Sequence, residues 1–512
     1  MALRARIMTT RAALAATWFG TAVACESDGP RVPPGSAGAP ERVGGEAGQH
    51  ASAGSPAGGH AGDTAGAQSD VAGWGGHAGT DAGESGSHGV LGGASPYGGQ
   101  GGEVYVPPTG VGVLAAPLGS FASSIAVNTH VIYYDGGYAD LDAVLENLAY
   151  LGVVHVRDAL ISANFYDQEL YGPWFQKVAR AGIRFNLIAN GGSATSPFDP
   201  AAAVAGARFV EELSAGAVES IEGFNEINNW PVTYDGETGY AAAARAMKAL
   251  YDGVKADDVL GACPVYDLTG GEFAEPELGL SDITGHADVA NQHPYPQRGD
   301  QPASWIARGF EHYAGDPPKV ITEFGYYTDP ADTDGWGGVS EAVQAKSILN
   351  GLLDAFALGV TRTYIYELVD VLPDPELWTH HFGLFRSDHS PKPAANAIHN
   401  LTTLLSGADG DFTPGRLDLE LSGLPATGNR LLFQRPDGTF VLAVWNEPDN
   451  WDEVAGQPLA TTPAAVGVDL GFAYRSVRVF APVAGTEPIA THDGERSFML
   501  LLDDHPLLVF IE

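Results

Sequence analysis

The chain is expected to fold as a (β/α)8 barrel followed by a small C-terminal β-sandwich, with a disordered N-terminal tether in front. Three observations predict this. Eight apolar, β-rich runs alternate with amphipathic helical stretches over nearly 300 residues. Helices then give way to short strands with hairpin turns, and residues 26–108 hold hardly any large apolar side chains. A length of 512 residues accommodates one large barrel and further domains.

The elements follow in order. Arg4, Arg6 and Arg11 precede an apolar stretch from Ala12 to Ala24 and then Cys25, the pattern of an export signal over residues 1–24. Ala22-Val23-Ala24-Cys25 resembles a bacterial lipoprotein box, with Ala22 where that box usually has Leu. The expectation is an exported protein acylated at Cys25 and held at the cell surface or outer membrane. An ordinary secretory signal is the alternative. No later apolar run approaches the ~20 residues that span a bilayer, so membrane contact is expected through the lipid anchor only. Residues 25–108 are dominated by Gly, Ala, Ser and His and cannot bury enough apolar surface to order themselves, which predicts a flexible linker.

From 109 to 407 the strands are expected at Ile125–Tyr133, Val153–Asp158, Arg184–Asn190, Ser220–Glu226, Val259–Tyr266, Val289–Tyr295, Lys319–Phe324 and Thr361–Glu367. Each is apolar enough to be covered on both faces. Between them, Leu141, Val144, Leu145 and Leu148 mark one buried helical stripe within Asp140–Leu151. Further helices are expected at Gly239–Val254, Ser340–Leu358 and Lys392–Leu405, and the fifth is weak. Consecutive parallel strands need helical crossovers, and eight close a sheet. A doubly wound open sheet is the alternative on pattern, but its Gly-rich phosphate turn is missing: Asn128-Thr129-His130 follows the first strand. No nucleotide cofactor is expected. From 408 to 512, Asp437-Gly438 and Asp493-Gly494 are hairpin signals between strands such as Thr439–Asn446 and Leu507–Ile511, which predicts the sandwich. Its Trp445 and Trp451 are expected in core or domain-interface packing.

Charge and cysteine content exclude other classes. With 26 Lys+Arg against 63 Asp+Glu the net charge is −37, which repels phosphate backbones, so nucleic acid is not an expected partner. Two cysteines far apart, Cys25 and Cys263, build neither a disulfide framework nor a thiolate metal site. No clustered metal-ligand spacing and no Gly-x-Ser-x-Gly elbow occurs, so neither a metal nor a serine nucleophile is expected.

In such a barrel the active site lies where the strands run into their C-terminal loops. Polar residues collect there: Arg157-Asp158 after strand two, Asn225-Glu226 after strand four, His293-Pro294-Tyr295 after strand six, and Thr322-Glu323-Phe324-Gly325 at strand seven. Two glutamates thus face one mouth. Glycosidic cleavage needs such a pair, one carboxyl protonated for the leaving oxygen and one ionised toward the oxocarbenium charge. A gap of ~5–5.5 Å between them gives a retaining mechanism, and ~6.5–9.5 Å an inverting one.

These motifs, in this order, resemble those of the clan A retaining glycoside hydrolases, with families 39 and 5 nearest in pattern. The resemblance spans the barrel and implies Glu226 as acid/base and Glu323 as nucleophile. It also implies Asn225 as a ligand of the sugar 2-hydroxyl, and Arg157, His293 and Tyr295 as the groups that hold Glu323. One departure is that strand eight ends in Tyr366-Glu367-Leu368 where many of these enzymes place a platform Trp. Read from residue type and position, His130, Tyr134, Asn190, Trp230, Glu367 and Asp370 are candidate sugar contacts, and Trp336 and Trp378 could edge the cleft. The expected partner is a carbohydrate, acted on without a cofactor. A glycan-binding protein that keeps the carboxylates, and a transglycosylase using the same covalent intermediate, are the other readings.

Overall fold

The apolar runs pair side by side in parallel, and helices cover their outer faces. The computed structural model describes residues 112–512 except 134–135, 163, 272–280, 333–335 and 372–380. The expected signal, Cys25, the linker, Tyr134 and Trp378 lie outside the described residues. The strands are β1 (Ile125–Asn128), β2 (His155–Ala159), β3 (Arg184–Ala189), β4 (Val218–Phe224), β5 (Val265–Tyr266), β6 (Ala290–Gln292), β7 (Lys319–Phe324) and β8 (Val360–Ile365). Their order in the sheet is β5-β4-β3-β2-β1-β8-β7-β6. A parallel bridge from Tyr266 to Val289 joins the two ends, so the sheet closes into the expected barrel.

Among the described residues, seven helices of nine or more residues accompany these strands: α1 (Leu141–Leu151), α2 (Phe165–Arg180), α3 (Pro200–Ser214), α4 (Tyr240–Ala256), α5 (Pro302–Phe310), α6 (Glu341–Ala357) and α7 (Pro393–Leu405). Side-chain caps start several of them. Asp140, Asn164, Asp199 and Ser340 accept from backbone N–H groups of the first turns of α1, α2, α3 and α6. No helix among the described residues is long and apolar enough to cross a membrane.

Three strands are shorter than expected by several residues, each for a local reason. β5 begins only at Val265 because Asp257 Oδ1 accepts from the backbone of Val259 and Leu260 and folds that apolar run into turns. β6 ends at Gln292, just before His293-Pro294, and a proline cannot donate to a ladder. β1 ends at Asn128, and the chain turns there into the His130–Tyr133 turn.

The sandwich has two sheets. One is ordered β9-β12-β14, from β9 (Glu420–Ser422), β12 (Ala464–Asp469) and β14 (Ser497–Leu502). The other contains β10 (Gly428–Gln434), β11 (Phe440–Asn446), β15 (Leu507–Ile511) and β13 (Val477–Phe480), in that order. Beyond β10 this second sheet gains Ala116–Pro117, paired parallel with Phe433 and Gln434. Val113 and Leu114 pair antiparallel with Leu417 and Arg416. Residues 113–117, placed with the barrel by the sequence reading, therefore pair with strands of the C-terminal domain.

β11 is buried along its whole length because both of its faces are covered. Leu442 and Val444 enter the sandwich core, whereas Val441, Ala443 and Trp445 join the barrel's core together with Phe433 and Phe510. Phe433 stacks on Phe121 at 5.2 Å, and Trp445 Nε1 donates to Asp354 Oδ1 of α6 at 2.8 Å. Trp451 is buried in the same cluster.

Candidate active site

The strand ends bring one polar layer together. Arg157 on β2 is buried with its guanidinium fully engaged. NH1 donates to Glu323 Oε1 at 2.5 Å and to Asn128 Oδ1 at 3.1 Å, and NH2 donates to Asn225 Oδ1 at 2.9 Å. Nε and NH2 also donate to the two oxygens of Glu222, each at 2.8 Å. Burial opposes the arginine's charge, but the Glu222 and Glu323 carboxylates outweigh it and hold the group above the ordinary guanidinium range.

Glu323 ends β7 and is 3% exposed. Its Oε2 accepts from the Tyr295 hydroxyl at 2.6 Å, so both of its oxygens are held by donors. Glu226 follows β4 with φ at +37°, a conformation that costs a non-glycine residue about 1–3 kcal/mol and that surrounding contacts must hold. Those contacts are present. Its N–H donates to Thr269 Oγ1, its carbonyl accepts from the N–H groups of Asn229 and Trp230, and Asn229 Nδ2 donates to its Oε2 at 3.0 Å. Its Oε1 lies 3.1 Å from His293 Nδ1.

Ligand atoms of Glu226, His293 and Glu323 all lie within 4.8 Å of one another, so an oxygen of each carboxylate faces the same small space. The same spacing would suit a metal ion. However, Arg157 and Tyr295 already take both oxygens of Glu323, and the two nitrogens of His293 face Glu226 and Thr322. Burial alone would lower the His293 imidazole, but the charges of Glu323 and Glu226 reverse this and raise it above its usual value.

A cavity of about 240 Å³ opens at this rim, lined by residues that include Asn128, His130, Arg157, Asn190, Asn225, Trp230, Glu323 and Tyr366. Glu226, 1% exposed, adjoins it through Glu323 rather than lining it. Of the expected sugar contacts, His130, Asn190 and Trp230 are in the lining. Glu367 and Asp370 are not, and both are otherwise occupied. Glu367 is fully buried, 3.2 Å from His130 Nε2 and from the Tyr138 hydroxyl, and burial raises its carboxyl. Asp370 accepts from Lys392 Nζ at 2.9 Å in a buried ion pair and from the Gly383 N–H. Tyr366 stands where a platform tryptophan was missed, in an aromatic cluster with Tyr295, Tyr327 and Phe382 against which Trp336 packs. Asp158 also lines the cavity, and burial pushes its carboxyl up to about 6.

The sequence reading missed Glu222, which five donors in this layer reach. A signal existed: Ser220 and Glu222 alternate along β4 with Ile221 and Gly223, which puts two polar side chains on the strand's barrel-facing side.

No protein-family profile matches the chain, and no curated protein sequence does. Solved structures do match. A family 39 glycoside hydrolase from the gut symbiont Bacteroides cellulosilyticus WH2 superposes with a TM-score of 0.54 at 15% identity, over 77% of this chain and 82% of its own. The GH39 enzyme from Xanthomonas axonopodis pv. citri gives 0.51 at 15%, over 78% and 95%. A monomeric beta-xylosidase from Caulobacter crescentus CB15 gives 0.51 at 15%, over 78% and 97%. At this identity the likeness is one of fold alone.

Proposed function

We propose that the protein is a retaining glycoside hydrolase acting on an extracellular or envelope poly- or oligosaccharide, with Glu323 as nucleophile and Glu226 as acid/base. The observation that carries this reading is a pair of carboxylates whose oxygens approach within 4.8 Å in opposite settings. Glu323 accepts a hydrogen bond at each oxygen, one from a guanidinium and one from a phenol, which fix the orientation of its carboxylate. Glu226 shares its surroundings with an imidazole and an amide that can exchange a proton with it and orient it.

In the first step Glu323 Oε2 or Oε1 attacks the anomeric carbon, the glycosidic C–O bond breaks, and Glu226 gives its proton to the leaving oxygen. The ester that forms removes the negative charge of Glu323. Glu226, now a carboxylate, takes a proton from water, whose oxygen displaces Glu323 and restores both groups. Asn225, held by Arg157, lines the cavity where a hydroxyl beside the reacting carbon would lie.

The test uses a panel of β-linked polysaccharides and aryl glycosides with wild type, E323Q and E226A. Hydrolysis by wild type, loss of ~10³-fold or more in E323Q, and azide rescue of E226A with retained anomeric configuration are the expected results. Equal binding of one glycan by all three proteins, with no release from any substrate, would move the reading to a glycan-binding protein.

A further inference from the structure

Glu222 is a buried carboxylate that does not itself line the cavity. Five donors converge on it. They are Arg157 Nε and NH2 at 2.8 Å each, Asn186 Nδ2 at 2.5 Å, Asn291 Nδ2 at 3.3 Å and Thr322 Oγ1 at 3.0 Å. The Arg157 arm orients the guanidinium toward Glu323, as described above. The Thr322 arm runs the other way, toward Glu226.

Thr322 Oγ1 has three polar neighbours: Glu222 Oε1, Asn291 Oδ1 at 2.9 Å and His293 Nε2 at 2.9 Å. The Asn291 amide is oriented by its other bonds, because its Oδ1 also accepts from the Thr322 N–H and its Nδ2 donates to the Asp267 carbonyl. Asn291 Oδ1 and the carboxylate are acceptors only, so the single hydroxyl hydrogen of Thr322 goes to one of them. Its lone pair is what remains for His293. The proton of a neutral His293 ring must then sit on Nε2, and Nδ1 carries a lone pair. That lone pair faces Glu226 Oε1 at 3.1 Å and Glu323 Oε2 at 3.7 Å.

We propose that Glu222 is a positioning residue for both carboxylates: through Arg157 it aims the guanidinium at Glu323, and through Thr322 it fixes the His293 tautomer whose Nδ1 accepts the proton of Glu226. One buried group thereby sets a donor against the nucleophile and an acceptor against the acid. This rests on the catalytic reading of Glu226 and Glu323, but the tautomer is measurable without any substrate, so the two can fail separately.

The experiment is nitrogen NMR of the protein labelled with [15N]histidine, at a pH where the His293 ring is neutral, with its signal identified by its loss in H293N. Wild type is expected to carry the proton on Nε2. T322V removes the acceptor at Nε2 and leaves two carboxylates near Nδ1, so the proton is expected to move to Nδ1. E222Q places an amide N–H2 among five donors and is expected to turn the single tautomer into a mixture. A wild-type ring protonated on Nδ1 overturns the proposal, as does either folded variant keeping the pure Nε2–H form. Should E222Q fail to fold, T322V decides it.

Discussion

Arg157 stands between two buried carboxylates, and its removal leaves them facing each other without a cation. Breaking a buried pair in this way costs about 3–5 kcal/mol, because the stranded charge has no water to turn to. R157M is therefore expected to lose about that much stability by urea denaturation, and the proposed glycosidase activity with it. R157K keeps a charge but not the planar fork that serves Glu222, Glu323, Asn225 and Asn128 together, so it should recover stability more than activity. The six residues named from the motifs, Arg157, Asn225, Glu226, His293, Tyr295 and Glu323, do meet in one layer. They were legible because each stands at a strand end, where chemistry is expected. Glu222, Asn186 and Asn291 were not, because their roles depend on side chains meeting across several strands inside the barrel. The surroundings of Asp370 were hidden for the same reason, since Lys392, 22 residues on, pairs with its carboxylate.

At the scale of elements, the contact of β11 with α6 carries a titration. Glu447, just past β11, hydrogen-bonds Asp354 of α6, and burial together with that shared bond raises its carboxyl well above the ordinary range. The folded chain thus keeps a proton that the unfolded chain releases above a pH of ~4.3. Unfolding releases it, so stability is greatest below that pH and falls as pH rises, by at most about 1.4 kcal/mol per unit, until the raised value is passed. E447Q is expected to flatten the dependence of Tm on pH between 5 and 9 and to be the more stable protein at the alkaline end. An unchanged slope would assign the titration elsewhere. The eight strands and helices α1, α4, α6 and α7 were legible from apolar periodicity, whereas α2, α3 and α5 were not located, and strand ends were set by single residues: the Asp257 turn shortened β5 and Pro294 follows the end of β6. The strands at 113–117 were unreadable because two-residue strands have no periodicity, and their partners lie about 300 residues away.

For the whole molecule, the sandwich is a wall of the barrel's core as well as a domain. Phe433 and Trp445 pack into the barrel's apolar cluster, and Lys346 of α6 pairs with Asp504 at 2.8 Å. Ending the chain at Gly407 is therefore expected to give a protein without near-ultraviolet circular dichroism and prone to aggregate, whereas residues 112–512 fold. A folded, monomeric 112–407 fragment would refute this dependence. The pairing of Ala116 with Phe433 also has a meaning in time. Ribosomes add ~5–20 residues per second, so the barrel's helices are complete roughly 5–20 s before the last hundred residues that cover α6 have been made. Over that interval the nascent chain presents a greasy flank with its cover still unwritten, and its first strand waits for a partner. Any helper that escorts this protein during biogenesis has that flank to hold, and must release it when β10 and β11 arrive.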